Sequence, residues 1–318
     1  MTVPASGRVA VIDVGTNTVL LTVAERSGTS FRPVVERAEI TRLGRGVDRT
    51  GRLDASAIAE TVAVIARYAA EARSLGAERI AAVATSAARD ASNGTEFFEA
   101  SRAAAGLAPE IIAGGEEARL VHLSAWGDFG VPGRPLAVLD VGGGSSEVTW
   151  GSGPVPDGRR SFQMGAVRLT ERAAPGDPPG VGDIRRMEEM ARAALSDVAA
   201  IRASGALAGA RLVAVAGTVT TLAAVAQALP AYDALRVHGS TMGRDELSRL
   251  VARLAALTTA ERARLPGMEP KRADVIVAGG ILVVAAMELG GFEDLVVSDR
   301  GVRWGLLHDR FGAGGSGA

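Results

Sequence analysis

The sequence predicts an α/β protein built from two related halves, on three observations. The stretch from Leu136 to Trp150, LAVLDVGGGSSEVTW, runs from an apolar strand through Asp140 into three glycines, then Ser145, Ser146 and Glu147. The segment Val9 to Thr18 has the same frame of apolar strand, Asp, Val, Gly, two turn residues and a hydroxyl, with Asp13 lying 127 residues before Asp140 (140 − 13). Along the rest of the chain, short apolar runs of strand length alternate with longer segments of helical spacing. An offset of about one domain's length suggests a duplication, each half bringing a Gly-rich loop to a common cleft. We expect a first domain over residues 1–126 and a second over 127–318, whose last helix can pack back on the first.

In chain order, Arg8 to Val23 reads as strand, turn and strand, and Phe31 to Ile40 as a further strand followed by a loop at 41–46. Asp54 can cap a helix reaching Leu75, in which Ile58, Val62, Ile65, Tyr68, Ala69 and Ala72 keep helical spacing. Arg79 to Ala84 is expected to be a short buried strand, and Thr85 to Ala91 a strand end with a polar turn. Asn93 to Ala105 reads as a helix capped by Asn93. Glu110 to Ile112 reads as a strand, Ala113 to Gly115 as a break, and Glu116 to Trp126 as a helix before a loop at 127–134. The second half adds a strand at 160–163, a Pro/Gly-rich loop at 175–182 and a helix at 184–203. A strand at 212–216 then turns through Gly217 and Thr218 into a helix ending near Leu229. Helices at 244–257, 271–289 and 302–311 frame a last strand at 295–298, and 312–318 is expected to be disordered.

Composition narrows the function classes. Of 318 residues, 47% are hydrophobic and 22% charged, which places the chain among globular proteins with ample core. A net charge of −1 gives no general attraction to nucleic acid polymers or anionic membranes. There is no cysteine, which excludes disulfides and thiolate metal sites. The N-terminus lacks a leader-like charged and apolar pattern, and no uninterrupted apolar run is long enough to span a membrane, so a cytoplasmic location is expected.

The two loops carry the candidate chemistry. Glycines let the chain turn tightly and present amide N–H groups to an anion, most commonly a phosphate. Asp140 and Glu147 frame the second turn, and hard oxygen ligands beside phosphates suit Mg²⁺. A Gly-rich hairpin flanked by acids can also be an ordinary solvated turn; its repetition argues against that. Lys271 is the only lysine, so neither loop is a Gly-Lys-Ser/Thr phosphate loop. Recognition must rest on amides, hydroxyls, arginine and a metal. His122, His238 and His308 lack the spacing of a metal site and read as structural, and Trp126 and Trp150 read as core.

Six motifs in order resemble the exopolyphosphatase/guanosine-pentaphosphate phosphohydrolase (Ppx/GppA) family over nearly the whole chain. They are residues 13–18 (DVGTNT), 85–91 (TSAARDA), 115–119 (GEEAR), 140–147 (DVGGGSSE), 216–221 (AGTVTT) and 297–301 (VSDRG). The resemblance implies two actin-like domains of the kind found in sugar kinases and heat-shock ATPases, each with a ribonuclease H-like core and with the active site in the interdomain cleft. It implies Glu117 as catalytic base, activating water for in-line attack, while Glu116 reads as a complement to the helix dipole. It implies Asp140, Glu147 and Asp13 as metal residues for Mg²⁺. Thr16, Asn17, Thr18, Gly143, Gly144, Ser145, Gly217 and Thr218 become phosphate donors, and Arg89 a bidentate phosphate clamp.

The chain departs from the family pattern in few places. Threonines at 16 and 18 stand where serines are usual, Ala113 where serine is frequent, Gly115 where Glu or Asn is, and Trp304 where a glutamate is common. Trp304 can alter how the last helix packs; none of these changes removes a proposed catalytic group.

The implied activity is release of terminal orthophosphate from inorganic polyphosphate, with guanosine pentaphosphate as the alternative substrate. Against a kinase of the same fold, Glu117 and Glu147 match the phosphohydrolase pattern and the chain shows no second substrate motif. A non-catalytic polyphosphate or nucleotide sensor would be expected to lack Glu117, Asp140 or Glu147. Longer relatives append a helical domain that extends a polyphosphate channel, so short chains and distributive cleavage are expected. The apolar helices make a homodimer an option.

Overall fold

The computed structural model describes residues 7–28 and 30–312. The expectation of disorder at the C-terminus falls, beyond Gly312, outside the described residues. The chain divides into two compact units. One takes the chain up to Leu120 and the segment from Val302; the other is Val121–Gly301.

The first unit is a mixed five-stranded sheet with helices. Its elements are β1 (Arg8–Val14), β2 (Thr18–Ser27), β3 (Ser30–Ile40), α1 (Val47–Thr50), α2 (Ala55–Ser74), β4 (Ala77–Ala84), α3 (Ser86–Asp90), α4 (Gly94–Ala105), β5 (Glu110–Ile111) and the start of α5 (Gly114–Phe129). The strand order is β3-β2-β1-β4-β5, antiparallel through the first three strands and parallel from β1 to β5. Asp54 caps α2 by accepting from Ser56 N (3.0 Å) and Ala57 N (3.1 Å). The helix then buries Ile58, Val62, Ile65, Tyr68, Ala69 and Ala72. Ile12, Leu21, Ile65 and Phe97 lie in the core of this unit.

The second unit continues from α5 with β6 (Leu136–Val141), β7 (Ser146–Gly151), β8 (Gly158–Phe162), α6 (Ala166–Ala173), α7 (Val181–Ala194), α8 (Asp197–Ala203), β9 (Arg211–Val215) and α9 (Ala216–Ala226). After these come α10 (Ala234–Val237), β10 (Thr241–Gly243), α11 (Arg244–Ala255), α12 (Thr259–Arg262), a 3₁₀ turn (Pro270–Arg272), α13 (Ile276–Gly290) and β11 (Asp294–Val297). Its sheet runs β10-β11-β9-β6-β7-β8. β6, β7, β8, β9 and β11 have the neighbours and directions of β1, β2, β3, β4 and β5, so the sequence repeat is also a repeat of topology. The nearly all-apolar α13 is buried along most of its length and packs on α6, α7, α8, α9 and α11. The closing helix α14 (Val302–Phe311) packs on β1 and β2 within the first unit.

Several local expectations are corrected. Thr85 to Ala91 is not a strand end with a polar turn but α3, with Ser86, Ala87 and Ala88 buried. Ala113 to Gly115 does not break the chain. The Ala113 carbonyl accepts from Glu116 N and Glu117 N (2.9 Å each), so the helix starts at Gly114 and absorbs residues 127–129 of the expected loop. The single helix expected at 184–203 is two, divided at Leu195 and Ser196, and the bend buries Leu195 along with Val198 and Ile201. α13 starts five residues later than expected, because Glu269 caps a separate 3₁₀ turn at Pro270. β4 is buried only at Val83 and Ala84, and Arg79 lies on its exposed stretch, over the Phe311 ring.

Candidate active site

In the first unit the turn between β1 and β2 is closed by Gly15 N–H donating to the Thr18 carbonyl (2.9 Å). Asp13, Thr16, Asn17 and Thr18 are all buried. The segment after β3 ties the turn back: Gly44 N donates to Thr16 O (2.8 Å), and Thr41 N and Arg42 N to Asn17 O (3.1 Å each). A trans peptide is planar, so an N–H points away from the carbonyl of the preceding residue. With those carbonyls turned to residues 41–44, the N–H groups of Asn17 and Thr18 face the other way, as an anion site needs. Gly44 is required for this approach, since a Cβ there would lie 2.3 Å from Thr16 Cγ2.

The second unit repeats the device. Gly142 N donates to Ser145 O (3.1 Å), the same turn 127 residues on. Here the segment after the third strand of the sheet is Gly165–Arg168. Ala166 N donates to Gly142 O (2.9 Å), Val167 N and Arg168 N to Gly143 O (2.9 and 3.2 Å), and Arg168 Nε to Gly144 O (2.9 Å). The N–H groups of Gly143, Gly144 and Ser145 are thereby directed away from α6. A Cβ on Gly165 would meet Gly143 O at 2.5 Å. Thr218, in the first turn of α9, donates its hydroxyl to Val141 O (3.2 Å). Ala216, just before Gly217, holds φ 75°, a strained value for a residue with a Cβ. The Arg272 guanidinium packs on Gly217, and burial pushes its pKa below the ordinary arginine range.

Asp140 and Glu147 are cross-strand partners on β6 and β7, 6% and 1% exposed, and Ser161 Oγ on β8 donates to Glu147 Oε1 (2.7 Å). Two buried carboxyl groups directly opposite each other are costly unless something positive lies between them. Mg²⁺ commonly takes one or two protein carboxylates beside substrate phosphates, so the pair fits it. Among the described residues no three His, Asp or Glu side chains gather as a metal group. Asp13, in the first unit, has its Oδ1 buried without a hydrogen-bond partner among the described residues. Burial pushes its pKa up to about 7, against the lowering influence of Arg303.

The first turn of α5 places Glu117, 7% exposed, beside Arg89 at the end of α3. Arg89 Nη1 donates to Ile112 O (2.9 Å) and meets Glu117 Oε2 at 3.4 Å. Its Nη2 is buried with no hydrogen-bond partner among the described residues. A half-buried guanidinium with a spare donor suits an anion, and it lies against the neighbouring carboxylate. Glu116 turns elsewhere, to Arg119 Nε and Nη2 (2.9 and 2.7 Å), and Arg119 in turn holds Asp309 (2.7 Å).

The histidines have structural surroundings. His122 is buried between Thr149 Oγ1 (2.8 Å) and Gly153 O (3.0 Å), and burial lowers its pKa. His238 pairs with Asp299 (3.1 Å), and the His308 ring packs edge-on against Phe31. Trp304 is buried in α14 and donates its Nε1 to Glu36 Oε1 (3.0 Å).

A model of the Ppx/GppA phosphatase family matches residues 22–312. The chain belongs to that family. Exopolyphosphatase 2 of Mycobacterium tuberculosis is 39% identical over 313 residues, covering 94% of this chain and 97% of that protein. Exopolyphosphatase 1 of the same species is 32% identical, over 94% and 87% of the two chains. Among solved structures, an Aquifex aeolicus Ppx/GppA enzyme is 34% identical, with a TM-score of 0.80 over 95% of this chain and 99% of that one. An exopolyphosphatase from Cytophaga hutchinsonii is 25% identical with a TM-score of 0.87, over 95% and 96%.

In this Ppx/GppA chain, sequence reasoning missed the segments that orient the loops: Thr41–Gly44, and Gly165–Arg168. It also missed Arg272 on Gly217 and Arg303 near Asp13. The signal for the first two was available, because a glycine follows the third strand of each half by three or four residues, Gly44 after Ile40 and Gly165 after Phe162.

Proposed function

We propose that the protein is an exopolyphosphatase that hydrolyses the terminal phosphoanhydride of inorganic polyphosphate with Mg²⁺. The observation that carries the reading is the pairing of buried Glu117 with Arg89, a water-activating carboxylate next to a guanidinium that keeps a buried donor for phosphate. The named exopolyphosphatase relatives supply the substrate class.

In this reading Arg89, the loop amides and hydroxyls at 16–18 and 143–145, and Gly217 and Thr218 are the phosphate-binding groups. Glu117 orients a water in line with the scissile bond and takes its proton as the water oxygen bonds to phosphorus. The bond to the bridging oxygen breaks, leaving orthophosphate and a chain one phosphate shorter. Asp140 and Glu147, with Asp13, would hold Mg²⁺, which supplies charge neutralisation to the phosphates. The order β3-β2-β1-β4-β5 and its repeat in the second unit support reading the two units as actin-like domains with ribonuclease H-like cores.

The test is phosphate release from polyphosphates of defined length, guanosine pentaphosphate and ATP, with Mg²⁺ and with Glu117→Gln as the control. Release from polyphosphate that the variant abolishes supports the reading. Release from guanosine pentaphosphate alone would move the assignment to that nucleotide, and none from any substrate would overturn it.

A further inference from the structure

We propose that Arg168 is a positioning residue for this reaction, holding the Gly144–Ser145 peptide so that its N–H faces the phosphate. The inference rests on the reading of residues 143–145 as phosphate donors. The carbonyls of Gly142 and Gly143 are held by backbone amides of α6, whose first N–H groups lack partners within the helix and find them in the loop. Gly144 O accepts from the Arg168 Nε (2.9 Å), which makes a side chain the fixing group of the last peptide. Gly144, without a Cβ, offers little resistance of its own to rotation of the peptide that follows it. A flip of that peptide would replace the Ser145 N–H with the Gly144 carbonyl, turning an attractive group into a repulsive one for phosphate. In the first unit the corresponding bonds, to Thr16 and Asn17, come from backbone amides.

The role assigned is a hydrogen bond from one atom, not a charge, and this makes the test specific. Glutamine carries its amide nitrogen as many bonds from Cα as arginine carries Nε, so Arg168→Gln keeps a donor and loses the charge. Arg168→Lys keeps the charge and moves the donor one bond further out. Arg168→Met keeps bulk and has neither. KM and kcat for polyphosphate, the Kd of inorganic phosphate by calorimetry, and Tm are measured for each, with the exposed Arg172→Ala as a control for general loss of positive charge.

Arg168→Gln is expected to stay near wild type. Arg168→Lys and Arg168→Met should raise KM and the phosphate Kd by about tenfold or more, the worth of one good hydrogen bond, with Arg172→Ala unchanged. Activity kept by the lysine variant and lost by the glutamine variant would overturn the proposal, because Arg168 would then act by charge. Wild-type values in all three would overturn it too. If the methionine variant fails to fold, the comparison of glutamine with lysine still decides. Failure of the underlying reading looks different: Glu117→Gln would then keep full turnover.

Discussion

Asp140 and Glu147 face each other across β6 and β7, whereas Asp13, at the equivalent place on β1, faces Leu20 on β2. The duplication is faithful in its strands and turns but not in this pair. One half carries two buried carboxyl groups side by side; the other carries an acid and a hydrocarbon. The proposed metal-binding role of the facing pair therefore has no counterpart in the first half, where Asp13 stands without a carboxylate opposite it.

Glu147→Gln should therefore separate stability from function. It removes one of two like groups while keeping the acceptor for Ser161, so the metal-free protein should gain about 1 kcal/mol or more in unfolding free energy. The Mg²⁺ concentration needed for half-maximal activity should rise, as it should for Asp140→Asn. Denaturant unfolding in EDTA and a metal titration of activity check both, and an unchanged titration in both variants would place the metal elsewhere.

Glu117→Gln should keep substrate affinity and lose roughly two to four orders of magnitude in kcat, the usual worth of general-base help. Its shape is retained, and Arg89 still has the Ile112 carbonyl to orient it. Steady-state kinetics with a direct binding measurement tests this. Near wild-type kcat would remove Glu117 from the mechanism.

Arg89→Lys should raise KM and also lower kcat. A lysine has one nitrogen where the guanidinium uses one to hold Ile112 O and Glu117 and leaves another for the proposed phosphate contact. Unchanged KM would mean that the buried donor does not meet substrate.

Asp13 gives a prediction in pH. Its pKa in the folded protein is about 7, above the ordinary 3.8, because burial disfavours the charge. Below about pH 4 the carboxyl is protonated folded or unfolded and costs nothing. Between about pH 4 and pH 7 the unfolded chain releases the proton first, so this group makes the metal-free protein less stable as pH rises. At about 1.4 kcal/mol per pKa unit the full penalty above pH 7 is a few kcal/mol. Asp13→Asn should consequently raise the Tm in EDTA at pH 8, with a gain that shrinks towards pH 5. A gain of equal size at both pH values would show that ionisation is not its source.

Among the described residues no helix is long and apolar enough to cross a membrane. The sequence by itself determined most of the strands, though not β7 or β10, and the two loops and their repeat, because these are written in local terms: apolar runs of strand length, an acid at the strand end, glycines in the turn. It determined the cap of α2 for the same reason, since Asp54 reaches amides two and three residues away. The tertiary structure decided what local pattern does not contain. Asn93 stands at the N-cap of α4 as expected, but its side chain bonds the Leu53 backbone at both N and O, 40 residues away, instead of the helix backbone. α3 forms where a polar turn was expected, because packing buries Ser86, Ala87 and Ala88. The direction of the loop amides was likewise undetermined, because turn types open to the same residues differ in which way the central peptide faces. It is settled by Gly44 and Arg168, which reach the loops only after the third strand of each sheet brings the chain back beside them.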